Sequence, residues 1–471
     1  MTRRNFDLVV LGAGIAGIST ALAAAEAGAD VVLVEKTAAI GGSSAMSGGW
    51  FAFAGTDEQR ELGIEDSDEA FFDDLRAVGG GRNDPELLRA YLAQQAETYR
   101  WLKTHGVEFG EVEISSGQSV RRGHSTRITD VLTRLHHAFT VLGGTTVLSQ
   151  RAIRLILDET PARVVGVQTE GADGDVELHA AQGVVIATGG FSRSAELLGV
   201  FAPEQLRAIP YGGKGNTGDG LKMAWRVGAG MADMSSVSAT YGSHPDTTDD
   251  FQELLTAFYM GAIIVNERAE RFTDESMDYK ALGRRVLEEP SGLGIQVFDA
   301  KVRAQSHPGV PLKDIDVLEG LGHVHFSDTI AGLAAEVGVD PAVLEETVHD
   351  YNRVVSGVAT DAHGRTSLCN GVGDLLSIDT PPYYAYPAKP LMTTTYAGIT
   401  VSPSSEVRDV DGAEIPGLYA VGEVVGGFHG AGYMTGSSLG KGAVFGHRLG
   451  GELAARASAA PSVPEHADGS R

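Results

Sequence analysis

The chain has 471 residues, 62 of them acidic and 37 basic, for a formal charge of −25. That balance argues against nucleic acid or an anionic membrane surface as partner. A single cysteine, Cys369, excludes an intrachain disulfide, a CxxC pair and the dithiol chemistry of disulfide reductases. With 42% hydrophobic residues there is enough for a substantial core, and 62 glycines suit loops that meet a ligand with bare backbone.

Residues 6–36, FDLVVLGAGIAGISTALAAAEAGADVVLVEK, read as strand 6–11, a glycine turn, a helix to Ala27 stopped by Gly28, and a second strand 30–35. Each glycine has a mechanical reason. Gly12 makes the tight turn, Gly14 lets backbone approach a pyrophosphate, and Gly17 lets helix and strand pack closely. The pyrophosphate then sits on the helix N-terminus beside Ala16, while Glu35, at the end of the second strand, can accept from a ribose diol. Dinucleotide binding is expected. No signal peptide or apolar span precedes residue 6, so a cytoplasmic protein without a membrane span is expected.

After Lys36 comes AIGGSSAMSGGW, a loop of small residues without histidine. Residues 57–106 read as helical packing, with an Asn/Asp cap before Pro85 and a stop at Gly106. From Val147 onward, period-2 alternation predicts antiparallel strands. GVVIATGG (183–190) is a buried parallel strand ending on glycines, GNTGDG (215–220) opens a helix, PGLYAVGEVVGG (416–427) gives another strand, and 436–456 a closing helix. Between Asp233 and Gly371 the composition shifts toward aromatics, Asp and His. An α/β Rossmann-like domain of residues 1–232 and 371–456 is therefore expected, interrupted by an α+β cap at 233–370 and followed by a flexible tail at 457–471.

The series GAGIAG, Glu35, GGSSAMSGG, ATGGFS, GNTGDG, GAIIVNERAERFTDES and PGLYAVGEVVGG resembles the flavoprotein family of fumarate reductases, succinate dehydrogenase flavoprotein subunits and ketosteroid dehydrogenases. The resemblance implies FAD, a substrate held between cap and flavin, and a set of cofactor positions. Glu35 would hold the adenosine ribose, with Lys36 following it, and Ala152 would lie near the adenine. Gly42, Ser43, Ser44, Gly48 and Gly49 would line the flavin, and Asp219 and Glu423 the ribityl and pyrophosphate region. Thr188, Gly189, Gly190 and Gly422 would return to the same ligand. The closing helix would aim Ser438 and Leu439 at the flavin pyrimidine edge, where charge gathers on reduction. Covalent members use a histidine in the loop after the first acid; its absence here implies non-covalent FAD.

Fumarate-type members grip a dicarboxylate with two His and two Arg. Here His124 matches the first His, or is a structural residue beside Arg121, Arg122 and Arg127, which are themselves candidates for a substrate carboxylate. Thr394 replaces the second His, and Tyr279 and Tyr433 stand where the arginines fall. Losing two guanidinium forks disfavours fumarate. Ketosteroid dehydrogenases resemble the replacement: Tyr433 O–H and Gly436 N–H would polarise a carbonyl, Tyr279 with a lowered pKa would take the neighbouring proton, and a hydride would pass to flavin N5. The expected activity is desaturation of a cyclic ketone, a 3-ketosteroid or a 4-oxocyclohexanecarboxylate-type keto acid, with an unassigned electron acceptor. The alternatives are an ene- or fumarate-reductase-like enzyme and a flavoprotein subunit of an electron-transfer complex. His429 is expected beside the flavin, bonding backbone or catalysing. His307, His323 and His325 read as structural, so no metal is expected.

Overall fold

The computed structural model describes residues 2–159, 162–172, 174–248, 253–310 and 312–459. An eight-stranded sheet forms around Thr2–Leu11, whose apolar second half is covered on both faces. Its path runs Glu406–Arg408, Glu414–Ala420, Val176–Ile186, Thr2–Leu11, Val31–Val34, Thr145–Val147. The central pairs are parallel, with Leu8 opposite Val31 and Leu11 opposite both Val34 and Ile186. Such strands read as unbroken apolar runs, as VVLV does. The antiparallel strands predicted after Val147 are Gln150–Glu159, Ala162–Gly171 and Val176–Ile186; the last continues as the buried parallel strand, so one strand does both jobs.

Helix Ile15–Glu26 lies between this sheet and the closing helix Ser437–Ala459. Gly446 and Gly450 sit four residues apart on the closing helix, and a Cβ on either would come within 2.5 and 2.3 Å of the carbonyls of Ala16 and Thr20. Only bare backbone fits there. The two helices therefore approach closely, and Ile18 and Leu22 of the first are buried completely, about 1.5–3 kcal/mol each. The closing helix runs three residues past Arg456, into the stretch expected to be a flexible tail; residues 460–471 lie outside the described residues.

A six-stranded sheet makes the second body. Its hub is Tyr383–Met392, which pairs with Gly294–Asp299, Thr240–Ser243 and His325–Ser327 antiparallel and with Ile209–Pro210 in parallel. The expected cap at 233–370 thus lacks its hub strand. Tyr383–Met392 carries prolines at 387 and 390, which hide a strand from a propensity reading. Tyr384 and Tyr386 are core residues of this sheet and do not reach the cavity described below. Under the sheet, Arg365 and Glu275 are fully buried at 3.3 Å, with Arg271 bridging Glu275 and Asp361 at 2.6 Å each. Burial alone would raise the Glu275 carboxyl, and Arg365 with Arg271 more than reverse it.

Candidate active site

Between the two bodies runs a cavity of about 550 Å³. The glycine turn forms one wall. Gly12 has φ +103°, and a Cβ there would lie 2.4 Å from Ala187 O; a Cβ on Gly17 would lie 1.8 Å from Gly12 O. The tight turn and the close packing read from the sequence are both steric necessities. Gly14 caps the helix and, with Ile15 and Ala16, lines the cavity, so a helix N-terminus opens onto it.

At one end Glu35 accepts from Ala13 N (2.9 Å), Thr37 N (2.8 Å) and Thr37 Oγ1 (2.9 Å). A carboxylate has about four acceptor sites, so capacity for a diol hydroxyl remains. Beside it lies Ala152. Asp219 also lines the cavity, and its oxygens accept from Lys36 Nζ (2.7 Å), next to Glu35 in the chain, and from Arg151 (2.9 and 3.2 Å). Burial would raise its pKa, but these two cations hold it down at about 2.

The middle is a relay of short polar bonds. Ser44 Oγ accepts from Ile15 N, Ser43 Oγ accepts from Gly213 N and Asn216 Nδ2, and Asn216 also reaches Glu423 at 3.1 Å. Glu423 accepts from Thr395 N as well (2.8 Å), and burial raises its pKa. A Cβ on Gly190 would strike Glu423 and Thr395, so this glycine makes room for the carboxylate and does not itself line the cavity. Gly42, Gly48, Gly49, Thr188, Gly189, Gly422, Gly436, Ser438 and Leu439 do line it, the last two from the first turn of the closing helix. Trp50 and Thr188, also in the wall, keep Nε1 and Oγ1 buried without a partner, a cost of about 1–3 kcal/mol each.

The far end is a cluster of hydroxyls. Tyr279 opens the helix Tyr279–Glu288, and its Oη accepts from Thr435 Oγ1 at 3.0 Å. Tyr433 Oη accepts from Gly436 N at 3.3 Å and is approached by the hydroxyls of Tyr279 and Tyr396. Tyr396, which the sequence reading missed, stacks on Tyr433 with ring centroids 4.6 Å apart. It holds φ +53°, a left-handed conformation that bulky residues rarely adopt and that clusters at working sites. Its one signal was its place two residues past Thr394. Tyr279 and Tyr396 are pushed well above the ordinary phenol range by burial, and Tyr433 is raised by the same cause. The lowered tyrosine pKa expected from the sequence is not what this environment produces.

Three further expectations change. His124 is fully buried away from the cavity, its Nδ1 donating to Arg122 O (2.9 Å) and its Nε2 meeting Thr56 Oγ1 (2.8 Å). Burial lowers its pKa, so it is a neutral packing residue among Phe53, Tyr99 and Phe109. Arg122 is equally buried, paired with Asp66 and Asp74, and offers nothing to a substrate. His429 packs behind Tyr396 at 4.4 Å and does not line the cavity. His323, read as structural, brings a ring nitrogen close to His244 and Asp246. The two imidazoles stack face to face at 3.8 Å, 4° from parallel, so their ring nitrogens point along separate planes.

The FAD binding domain family matches residues 7–439, and the chain belongs to it. A probable fumarate reductase of Shewanella frigidimarina is 30% identical over 96% of this chain and 75% of its own length. The 4-oxocyclohexanecarboxylate 2-dehydrogenase of Sinomonas cyclohexanicum is 29% identical over 96% of this chain and 94% of its own. Among solved structures, the 3-ketosteroid-Δ4-(5α)-dehydrogenase of Rhodococcus jostii RHA1, in complex with 4-androstene-3,17-dione, has a TM-score of 0.75 at 25% identity, covering 96% of this chain and 97% of its own. The protein is an FAD-dependent oxidoreductase with a Rossmann-like FAD fold, and the bare glycine turn, the helix N-termini and the acceptor set of Glu35 fit that cofactor. No helix among the described residues is long and apolar enough to cross a membrane.

Proposed function

We propose that the protein desaturates a cyclic ketone next to its carbonyl, the substrate being a 3-ketosteroid or a 4-oxocyclohexanecarboxylate-type keto acid. The observation that carries this reading is the wall of the cavity at its far end. Among the described residues that line the cavity there is no arginine and no histidine, and the tyrosine end offers Tyr279, Tyr433, Tyr396, Thr435 and the Gly436 amide. A dicarboxylate finds no guanidinium fork there. A ketone oxygen finds two neutral donors side by side, Tyr433 O–H and Gly436 N–H, the amide now spent on Tyr433 Oη at 3.3 Å and turned to the ketone when it binds. Polarising the carbonyl makes the adjacent C–H acidic, and Tyr279 Oη, held by Thr435, receives that proton once it has given up its own. Bound FAD supplies the acceptor for the hydride lost from the β-carbon. With neither histidine nor cysteine among the described lining residues, the flavin is held without a covalent bond.

The relatives support two directions. The oxocyclohexanecarboxylate and ketosteroid dehydrogenases favour desaturation, and the probable fumarate reductase favours reduction of an activated alkene. An anaerobic visible spectrum separates them. Bleaching of the oxidised flavin band by a saturated cyclic ketone or keto acid, with none by succinate, is the expected result. Reoxidation of the chemically reduced protein by fumarate would overturn the ketone reading.

A further inference from the structure

Building on the desaturase reading, we propose that Lys280 selects the substrate: as a positioning residue acting through Thr394, it favours a cyclic ketone that carries a carboxylate over a neutral one such as a 3-ketosteroid. Lys280 is 3% exposed and is the second residue of the helix Tyr279–Glu288. Its Nζ donates to three oxygens, Ser238 O at 2.6 Å, Thr394 O at 3.3 Å and Thr394 Oγ1 at 3.4 Å. An ammonium has three N–H groups and no lone pair, so this set uses its whole donor capacity. All three acceptors are neutral. Among the described residues no carboxylate stands within ion-pair distance of Nζ, and Glu423 and Asp278 act on it from farther off. A buried cation in that state is costly, and an incoming anion relieves it.

This cation stands directly behind the cavity wall. Thr394 lines the cavity together with Thr393 and Thr240, and their hydroxyls are joined, Thr394 Oγ1 to Thr393 Oγ1 at 3.4 Å and Thr393 Oγ1 to Thr240 Oγ1 at 3.2 Å. Because Lys280 can only donate, Thr394 Oγ1 accepts from it and keeps its own proton to give. The links between the threonines are long for O–H···O bonds, which run at about 2.5–3.0 Å. A carboxylate, with about four acceptor sites, offers them a stronger acceptor.

Other cations are spent elsewhere: Arg122 on Asp66 and Asp74, Lys36 on Asp219, and Lys313 on Glu113. Arg284, one turn along the helix, donates to Ser238 Oγ and adds to the positive field without lining the cavity. The ketone donors are close by, since Tyr396 stacks on Tyr433 at 4.6 Å and lies under Nζ at 5.0 Å. A ring with a carbonyl at one end and a carboxylate at the other engages both groups, whereas a 3-ketosteroid brings no anion. Burial lowers Lys280 to about 7, aided by Arg284 and opposed by Glu423 and Asp278. A bound carboxylate opposes it too and holds the ammonium charged.

The test follows anaerobic reduction of the flavin-loaded protein by 4-oxocyclohexanecarboxylate, by its methyl ester and by a saturated 3-ketosteroid, in wild type, Lys280→Met and Thr394→Val. Bound flavin absorbance shows that each variant folds, and half-saturation and limiting rate are read separately for each substrate. The expected result is a wild-type half-saturation for the acid about 10- to 100-fold below that for the ester, the size of one charge pair at an effective dielectric constant of about 20. Both variants should lose about 10-fold or more of that preference, through half-saturation. A preference that survives in Lys280→Met or in Thr394→Val, with acid and ester weakened alike, is what a merely structural residue gives and would overturn the proposal. So would wild-type protein that takes the ester or the steroid as readily as the acid, a result that needs no variant. Failure of all three compounds to reduce the wild-type flavin would overturn the desaturase reading and the selection with it; reduction by the ester or the steroid, with none by the acid, would overturn the selection alone.

Discussion

The two ends of the cavity are built on opposite electrostatic plans. At the Glu35 end the charges are paired: Asp219 with Lys36 and Arg151, and Glu35 with two backbone amides. At the tyrosine end titratable groups are buried with hydroxyl and carbonyl partners, and Lys280, His429 and Tyr279 are all pushed toward their neutral forms. Paired charges hold a ligand in place and resist change. Neutral groups poised near one another exchange protons at little cost, so the first end suits binding and the second suits chemistry.

The contrast can be broken most completely at the glycine turn. Gly17→Ala places a Cβ 1.8 Å from Gly12 O, so the purified protein should carry no flavin, seen as loss of visible absorbance. At the other end, Tyr279→Phe should keep its flavin yet slow anaerobic reduction by a ketone about 10²- to 10⁴-fold, the range of a lost proton acceptor. Unchanged reduction would remove Tyr279 from the chemistry. Arg365→Met strips Glu275 of a fully buried partner and should cost about 3–5 kcal/mol in denaturant unfolding, a loss confined to the second body and its support of the helix that begins at Tyr279.

Smaller effects sharpen the same comparison. His124→Ala should cost about 1–3 kcal/mol of stability through the orphaned Thr56 and Arg122 groups, while the reduction rate per bound flavin stays as in wild type. A rate loss would restore a role for it in the site. Asp219 is smallest. Its folded pKa of about 2 lies below the unfolded value, so its contribution is fully present above about pH 4 and fades as pH falls toward 2. Arg151→Met should move that loss to higher pH, seen as earlier acid release of flavin.

Much of the binding end was legible in the chain because its determinants are local. Gly12, Gly14 and Gly17 sit within one turn, Glu35 closes the next strand, and the sterics that require glycine act over a few residues. Legibility fell where contacts cross the chain. Tyr383–Met392 hides its strand behind two prolines and reveals itself only by its four partners, so the boundary of the second body was misplaced. His124 carried the right residue type for a substrate ligand, and only packing against Phe53 and Phe109 shows it spent on backbone.

By itself the sequence determined the βαβ turn and the run of glycine-ended strands, since these depend on residue type and short spacing. Tertiary structure alone decided which groups share the far end of the cavity. It brought Tyr396 and Lys280, 116 positions apart in the chain, to within 5.0 Å. It also set their protonation, because burial, which no local pattern records, is what raises the tyrosines and lowers the lysine.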